Sequence, residues 1–351
     1  MTFNTTSKEA WLSKTKADLK GKLLSELDFV ITQDISQPAL SHQDDLNENT
    51  YFPLIGKKTD NQWKIGELIH LHEGEKKANE LAIAALEGGA TALAFHYQEK
   101  PNLSQLLHDI NLEWISTYFH GKHDLVKEFI EIAKNEKQHD LAVVNCGFYN
   151  IPVSEINRYH NQLPLGKFHI IESAAHEDVA EEIAHIALAY TAIIEQVETA
   201  ETNVLNALSI SIRLTDLFMV NIAKIRALKI ILSQIKDAYQ LQVETPQIKA
   251  SSAQSTLGDD ADYNKIKLMP HALSGLIGGV DELFLPSSDT ALEQNHFSHR
   301  ISRNISHLLQ LESFMERVID PAAGSYYIET LTDKIAAQSW SIFQQKHKQA
   351  G

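Results

Sequence analysis

The chain has 351 residues, enough for one large α/β barrel with an appended arm or for two ordinary domains, and 43% hydrophobic with 22% charged residues is a globular balance. Its 46 acidic against 31 basic residues give a formal charge of -15, which repels a phosphate backbone and an anionic leaflet alike, so no nucleic acid and no membrane is expected as a partner. The single Cys146 excludes an intrachain disulfide, and with no bilayer-length apolar run and no basic, apolar leader a cytoplasmic location is expected.

In chain order, Thr6-x-x-Glu9 reads as a capping box, and Trp11, Thr15 and Leu19 keep helical spacing up to Gly21. Polar, irregular sequence follows from Gln33 to Gln62, so residues 1–62 are expected to be an arm and linker for subunit contact. From Trp63 onward, β-prone runs alternate with helical patterns. Strands are predicted at Trp63–Leu68, Thr91–His96, Leu112–Tyr118, Leu141–Asn145, Phe168–Glu172, Ser209–Arg213, Gln247–Ser251 and Glu282–Leu285. Eight runs with helix-length separations predict that residues 63–351 form an α/β fold, a closed parallel (β/α)8 TIM barrel.

The clearest helix is Glu177 to Val197, with Val179, Ile183, Ile186, Tyr190 and Ile193 on one face behind an acidic first turn. The longest apolar one, Leu214 to Ile235, is apolar on more than one face and should be buried on two sides. Pro270 implies a late start for the next helix, which Gly278-Gly279 ends. A helix carrying Arg300, Arg303 and Asn304 then runs into an Asp320-Pro321, Gly324-Ser325 corner, followed by a predicted strand, Tyr326 to Ile328. Two guanidinium groups beside that acidic corner suggest an internal clamp.

Three places invite chemistry. His70 and His72 could share a face and a metal, but among 17 histidines such a pair arises by coincidence, and no metal is expected. Barrel active sites lie at the carboxyl ends of strands, which draws attention to Glu172-Ser173 and His176-Glu177. Ser173 and His176 are three apart in a turn, which does not secure the hydrogen bond a nucleophile needs, and capping by Ser173 explains the same residues. Ser251 and Ser252 end another strand, where they could touch a ligand or cap a turn.

Four segments lie in an order that resembles the methylmalonyl-CoA mutase family. These are W-L-S-K-T-K-A-D-L-K-G-K with L-L-S-E-L-D-F (Trp11 to Phe29), N-I-A-K-I-R-A-L-K (Asn221 to Lys229), A-L-S-G-L-I-G-G (Ala272 to Gly279), and the terminal F-S-H-R-I-S-R-N, L-L-Q-L-E, R-V-I-D-P-A-A-G-S-Y-Y-I-E (Phe297 to Glu329). The resemblance implies a substrate barrel threaded by an acyl-CoA, with a cobalamin-binding domain following in full-length members. It also shows what is missing. The family's Y-H-x-x-E-A-G pair aligns with Glu172 and Ser173, its R-G-P-Y-like segment with a stretch holding only Tyr51, and an arginine expected within Val243 to Ala250 is absent. No D-x-H-x-x-G cobalt-ligand motif occurs.

These departures resemble the small, non-catalytic subunit of a heterodimeric mutase that interconverts methylmalonyl-CoA and succinyl-CoA. That implies no catalytic residue and no cofactor on this chain, with His176, Ser251 and Ser252 as residual ligand contacts. Adenosylcobalamin would sit on the partner, a catalytic large subunit embraced by the arm and the long apolar helix. Two alternatives stand: an active acyl-CoA mutase barrel served by a separate cobalamin-binding polypeptide, with His176 or His169 as its imidazole, and a barrel that only binds an acyl-CoA.

Overall fold

The computed structural model describes residues 7–46, 60–149, 151–173, 178–197, 204–289 and 296–350, so Thr6, Tyr51, His176 and Glu177 lie outside the described residues. Ser7 caps α1 (Lys8–Asp18), accepting from the Ala10 amide, and a two-residue-wide hairpin follows, β1 (Phe29–Val30) against β2 (Ser36–Gln37). Eight strand–helix units come next. They are β3 (Lys64–His70) with α2 (Glu75–Glu87), β4 (Ala92–His96) with α3 (Leu103–Leu106), β5 (Ser116–His120) with α4 (Val126–Glu131), and β6 (Asn145–Phe148) with α5 (Val153–His160). The second half holds β7 (His169–Glu172) with α6 (Val179–Gln196), β8 (Leu208–Leu214) with α7 (Phe218–Ala238), β9 (Gln247–Ser252) with α8 (Ala261–Gly278), and β10 (Glu282–Phe284) with α9 (His296–His307). A last helix, α10 (Tyr326–Ala350), lies across α6 and α7.

The strands run β6-β5-β4-β3-β10-β9-β8-β7, all parallel. A parallel bridge between Gly147 and Lys167 joins the two ends, where the Phe148 amide donates to the Lys167 carbonyl at 2.8 Å. The expected (β/α)8 barrel is therefore what the chain forms. Alternation along each strand divides the side chains. Outward residues such as Leu93, Phe95, Phe119, Phe148, Ile210 and Ile212 join the large core beneath the helices, while Ala92, Ala94, Tyr118, Ile170 and Phe284 form a separate small cluster inside the barrel.

Buried ion pairs tie the outer helices to the barrel and to one another. Arg303 of α9 donates to Glu67 of β3 at 2.6 Å and to the Gly88 carbonyl at 3.1 Å. Lys224 of α7 holds Glu182 of α6 at 3.0 Å, and Arg226, two residues on, pairs with Asp320 and with Glu329 of α10. The acidic corner is thus clamped, but by Arg226 and not by the nearby Arg300 and Arg303. Arg300 instead lies over the Phe297 ring, 5.4 Å from its centroid.

Other expectations are corrected. The runs at Leu112 and Leu141 precede their strands by four residues, because Leu112 and Val144 are apolar for joining the core before the ladder begins at Ser116 and Asn145. Tyr326 to Ile328 opens α10 and is no strand. A three-residue apolar run carries no period, and it is Ile328, Leu331 and Ile335 together that form the buried helical stripe. Helix α8 does not start late but runs through Pro270, whose freed partner carbonyl belongs to Ile266, an exposed residue that water can serve. Asp178, not Ser173, caps α6, and the second apolar face of α7 is covered by α8 and α10 of this same chain.

Candidate functional site

The carboxyl ends of the strands bring together a row of rings. His70, His96 and His120 end β3, β4 and β5, and strand register sets them side by side. Ring centroids are 5.0 Å apart for His70 and His96 and 4.6 Å for His96 and His120, and His120 stacks on Tyr149 at 4.1 Å and 9°. On the far side, Glu172 at the end of β7 lies 4.0 Å from His120 Nε2 and 3.7 Å from Arg213 Nη2. Arg213 of β8 donates in turn to the Ser251 hydroxyl at 2.6 Å. His96, His120, Tyr149, Glu172, Arg213 and Ser251 border a pocket of about 400 Å³, part of it open to solvent.

Burial disfavours charge on the imidazoles. His96 is pushed down to about 3, first by burial and then by His120, His70 and Arg213. His120 is also lowered by burial, against the pull of Glu172, and His70 by burial and then His72. Tyr149 is raised, mainly by burial. At neutral pH the mouth therefore presents neutral rings beside one guanidinium and one carboxylate.

Beneath the mouth the bore is filled. Tyr118 donates to Glu282 at 2.7 Å and meets Phe284 edge-on at 6.0 Å, and Lys249 Nζ sits 3.1 Å from the Tyr118 ring centroid. Both rings lie against glycine backbone, Tyr118 on Gly147 and Phe284 on Gly66, where a β-carbon would collide with the ring. Lower still, Gln247 donates to Glu282 at 3.0 Å and Lys64 lies 3.7 Å from the same carboxylate.

The family model described as methylmalonyl-CoA mutase matches residues 164–351, the half that holds Glu172, Arg213, Lys249 and the clamped corner. The chain belongs to the methylmalonyl-CoA mutase family. A methylmalonyl-CoA mutase small subunit from Porphyromonas gingivalis is 27% identical, over 97% of this chain and 63% of its own length. A probable methylmalonyl-CoA mutase small subunit from Mycobacterium tuberculosis is 27% identical over 50% of this chain and 30% of its own length. A methylmalonyl-CoA mutase from Escherichia coli is 37% identical over 39% and 20%. The chain thus spans less than two thirds of these relatives.

In this mutase-family barrel, Glu172 and Ser251 reach the mouth, whereas Ser173 and Ser252 do not. Ser173 is buried behind it, donating to Glu182, which Lys224 holds. Ser252 points the other way along β9 and is buried with no partner for its hydroxyl among the described residues. His169 is one residue out of phase with Ile170, which faces the bore, and its Nδ1 lies 3.4 Å from the Ile151 carbonyl. His70 stands in the ring row at the end of β3, while His72 lies in the turn after it, so no strand face joins them.

The mouth also holds His96, His120 and Arg213, on strands other than those at which the family's Tyr-His pair and arginine align, and Glu172 and Ser173 still occupy the places of that pair. Three strands each closing on an aliphatic or aromatic residue and then histidine, at Ile69-His70, Phe95-His96 and Phe119-His120, were the available signal. The family's cobalamin does not fit these residues. The mouth imidazoles are packed on one another at a tilt of 46–48°, His120 stacks on Tyr149, and none stands in the D-x-H-x-x-G setting of the axial ligand.

Proposed function

We propose that this chain is the non-catalytic small subunit of a methylmalonyl-CoA mutase, supporting a catalytic large subunit that carries the adenosylcobalamin. The filled bore carries the reading. An acyl-CoA threaded along the axis would have to displace Tyr118 and Phe284 from their glycine seats and break the buried Tyr118–Glu282 hydrogen bond. The relatives named small subunit support a larger partner. Residues 1–62 serve as the contact arm and 63–351 as the barrel scaffold. Leu23, Leu27, Phe29 and Val30 of the arm are exposed and apolar, which suits a subunit interface, and the net charge of -15 disfavours nucleic acid. Among the described residues no helix is long and apolar enough to cross a membrane.

Arg213 and His120 at the mouth favour one second reading, an active barrel that borrows a cobalamin domain, with His120 in place of the expected His169 or His176. Reconstitution with a catalytic large subunit separates the two. Replacing both His96 and His120 by alanine in this chain should leave turnover of the complex within about twofold, whereas a catalytic imidazole would cost about 10²-fold or more.

A further inference from the structure

The floor of the mouth pocket holds an amine to which the scaffold reading gives no task. Lys249 faces the barrel interior on β9, between Gln247 and Ser251, and is only 3% exposed. Its Nζ makes no hydrogen bond among the described residues and rests on the Tyr118 ring, yet the side chain helps line the pocket. An ammonium buried without an acceptor is costly, and an orphaned buried nitrogen on the floor of a pocket calls for a physical reason, of which a chemical role is one. Strand pairing sets Ser211 beside Lys249 and Arg213 beside Ser251. Arg213 therefore stands on the neighbouring strand one inward-facing row above, a rise of about 7 Å along the strand.

The geometry points to Lys249 as a covalent site for a small oxo acid, held by its carboxylate at Arg213 and joined through its carbonyl carbon to Nζ as an imine. The nitrogen lone pair adds to the carbonyl carbon, and the oxygen takes a proton from the nitrogen. The carbon–oxygen bond then breaks, and hydroxyl leaves with the second amine proton as water, giving the carbon–nitrogen double bond. No oxidant or reductant is consumed. Burial lowers the amine's titration to about 7, opposed by Glu282 of β10 and Cys146 of β6 and reinforced by Lys167 beside β7 and Lys64 of β3, with the Tyr118 ring of β5 packed against it. A desolvated lysine next to other cations is the setting in which an amine is nucleophilic near neutrality.

This inference goes beyond the subunit role and stands or falls apart from it. The whole chain is incubated with glyoxylate and cyanoborohydride, which reduces the imine to a stable amine, and adducts are mapped by peptide mass spectrometry. Lys249 should be labelled about tenfold faster than the exposed lysines, with half-maximal rate near pH 7, and acetaldehyde, which lacks the carboxylate, should label it about tenfold more slowly than glyoxylate. Arg213→Met should slow labelling of Lys249 and leave exposed lysines unchanged. Labelling of Lys249 no faster than that of exposed lysines, or equal rates with acetaldehyde, overturns the proposal, and the mapping needs no variant to fold.

Discussion

At the scale of single residues, the interior of this barrel is decided by where large rings find room. Tyr118 and Phe284 fit because Gly147 and Gly66 face them, a pairing across strands that no linear pattern displays. The histidine row is a similar case: its members lie 26 and 24 residues apart in the sequence and become neighbours only once the strand register is known. Glu172 and Ser251 could be read from the sequence because strand ends are where barrel sites form, whereas Arg213 lies on β8, one strand before the Val243 to Ala250 stretch where the resemblance implies an arginine. Lys249 also shapes stability. Its folded value of about 7 lies below the ordinary lysine value, so between about 7 and 10.5 the unfolded chain binds more protons than the folded one. Its contribution is present above the unfolded value and is lost as pH falls through about 7. The urea midpoint should therefore rise from about pH 7 to about pH 9, and Lys249→Met, which keeps the length and removes the charge, should flatten that rise. An equal slope in the variant would contradict the assignment.

At the scale of elements, the segments that carry the family resemblance are joints between layers. Lys224 and Arg226 belong to one such segment and Arg303, Asp320 and Glu329 to another, and each makes a buried ion pair that crosses between elements. Arg226 is 1% exposed, and Asp320 is raised by burial despite the guanidinium beside it, so the corner depends on that arginine. Arg226→Met would strand two carboxylates in the interior and should cost about 3–5 kcal/mol in urea unfolding at neutral pH. A loss under about 1 kcal/mol would show that α10 is held by apolar packing alone. Most strands and the long helices α6 and α7 were legible because burial imposes a period on long segments. The opening of α10 was not, since three residues hold no period, and neither was the passage of α8 through Pro270, which depends on that turn facing water.

At the scale of the whole molecule, the barrel is an α/β scaffold closed around its own side chains, with a pocket at the mouth that is part open to solvent. Part of the arm is committed within the chain, since Gln37 donates to Thr330 of α10 at 2.7 Å and Lys334 donates to the Ser36 carbonyl at 2.7 Å. Leu23, Leu27, Phe29 and Val30 of the same arm stay exposed, as the proposed subunit interface requires. The most direct test of the closed bore is calorimetric titration of methylmalonyl-CoA into this chain alone. The packed interior predicts no saturable binding up to about 1 mM ester, whereas one-site binding with a Kd of about 10 μM or tighter would contradict it.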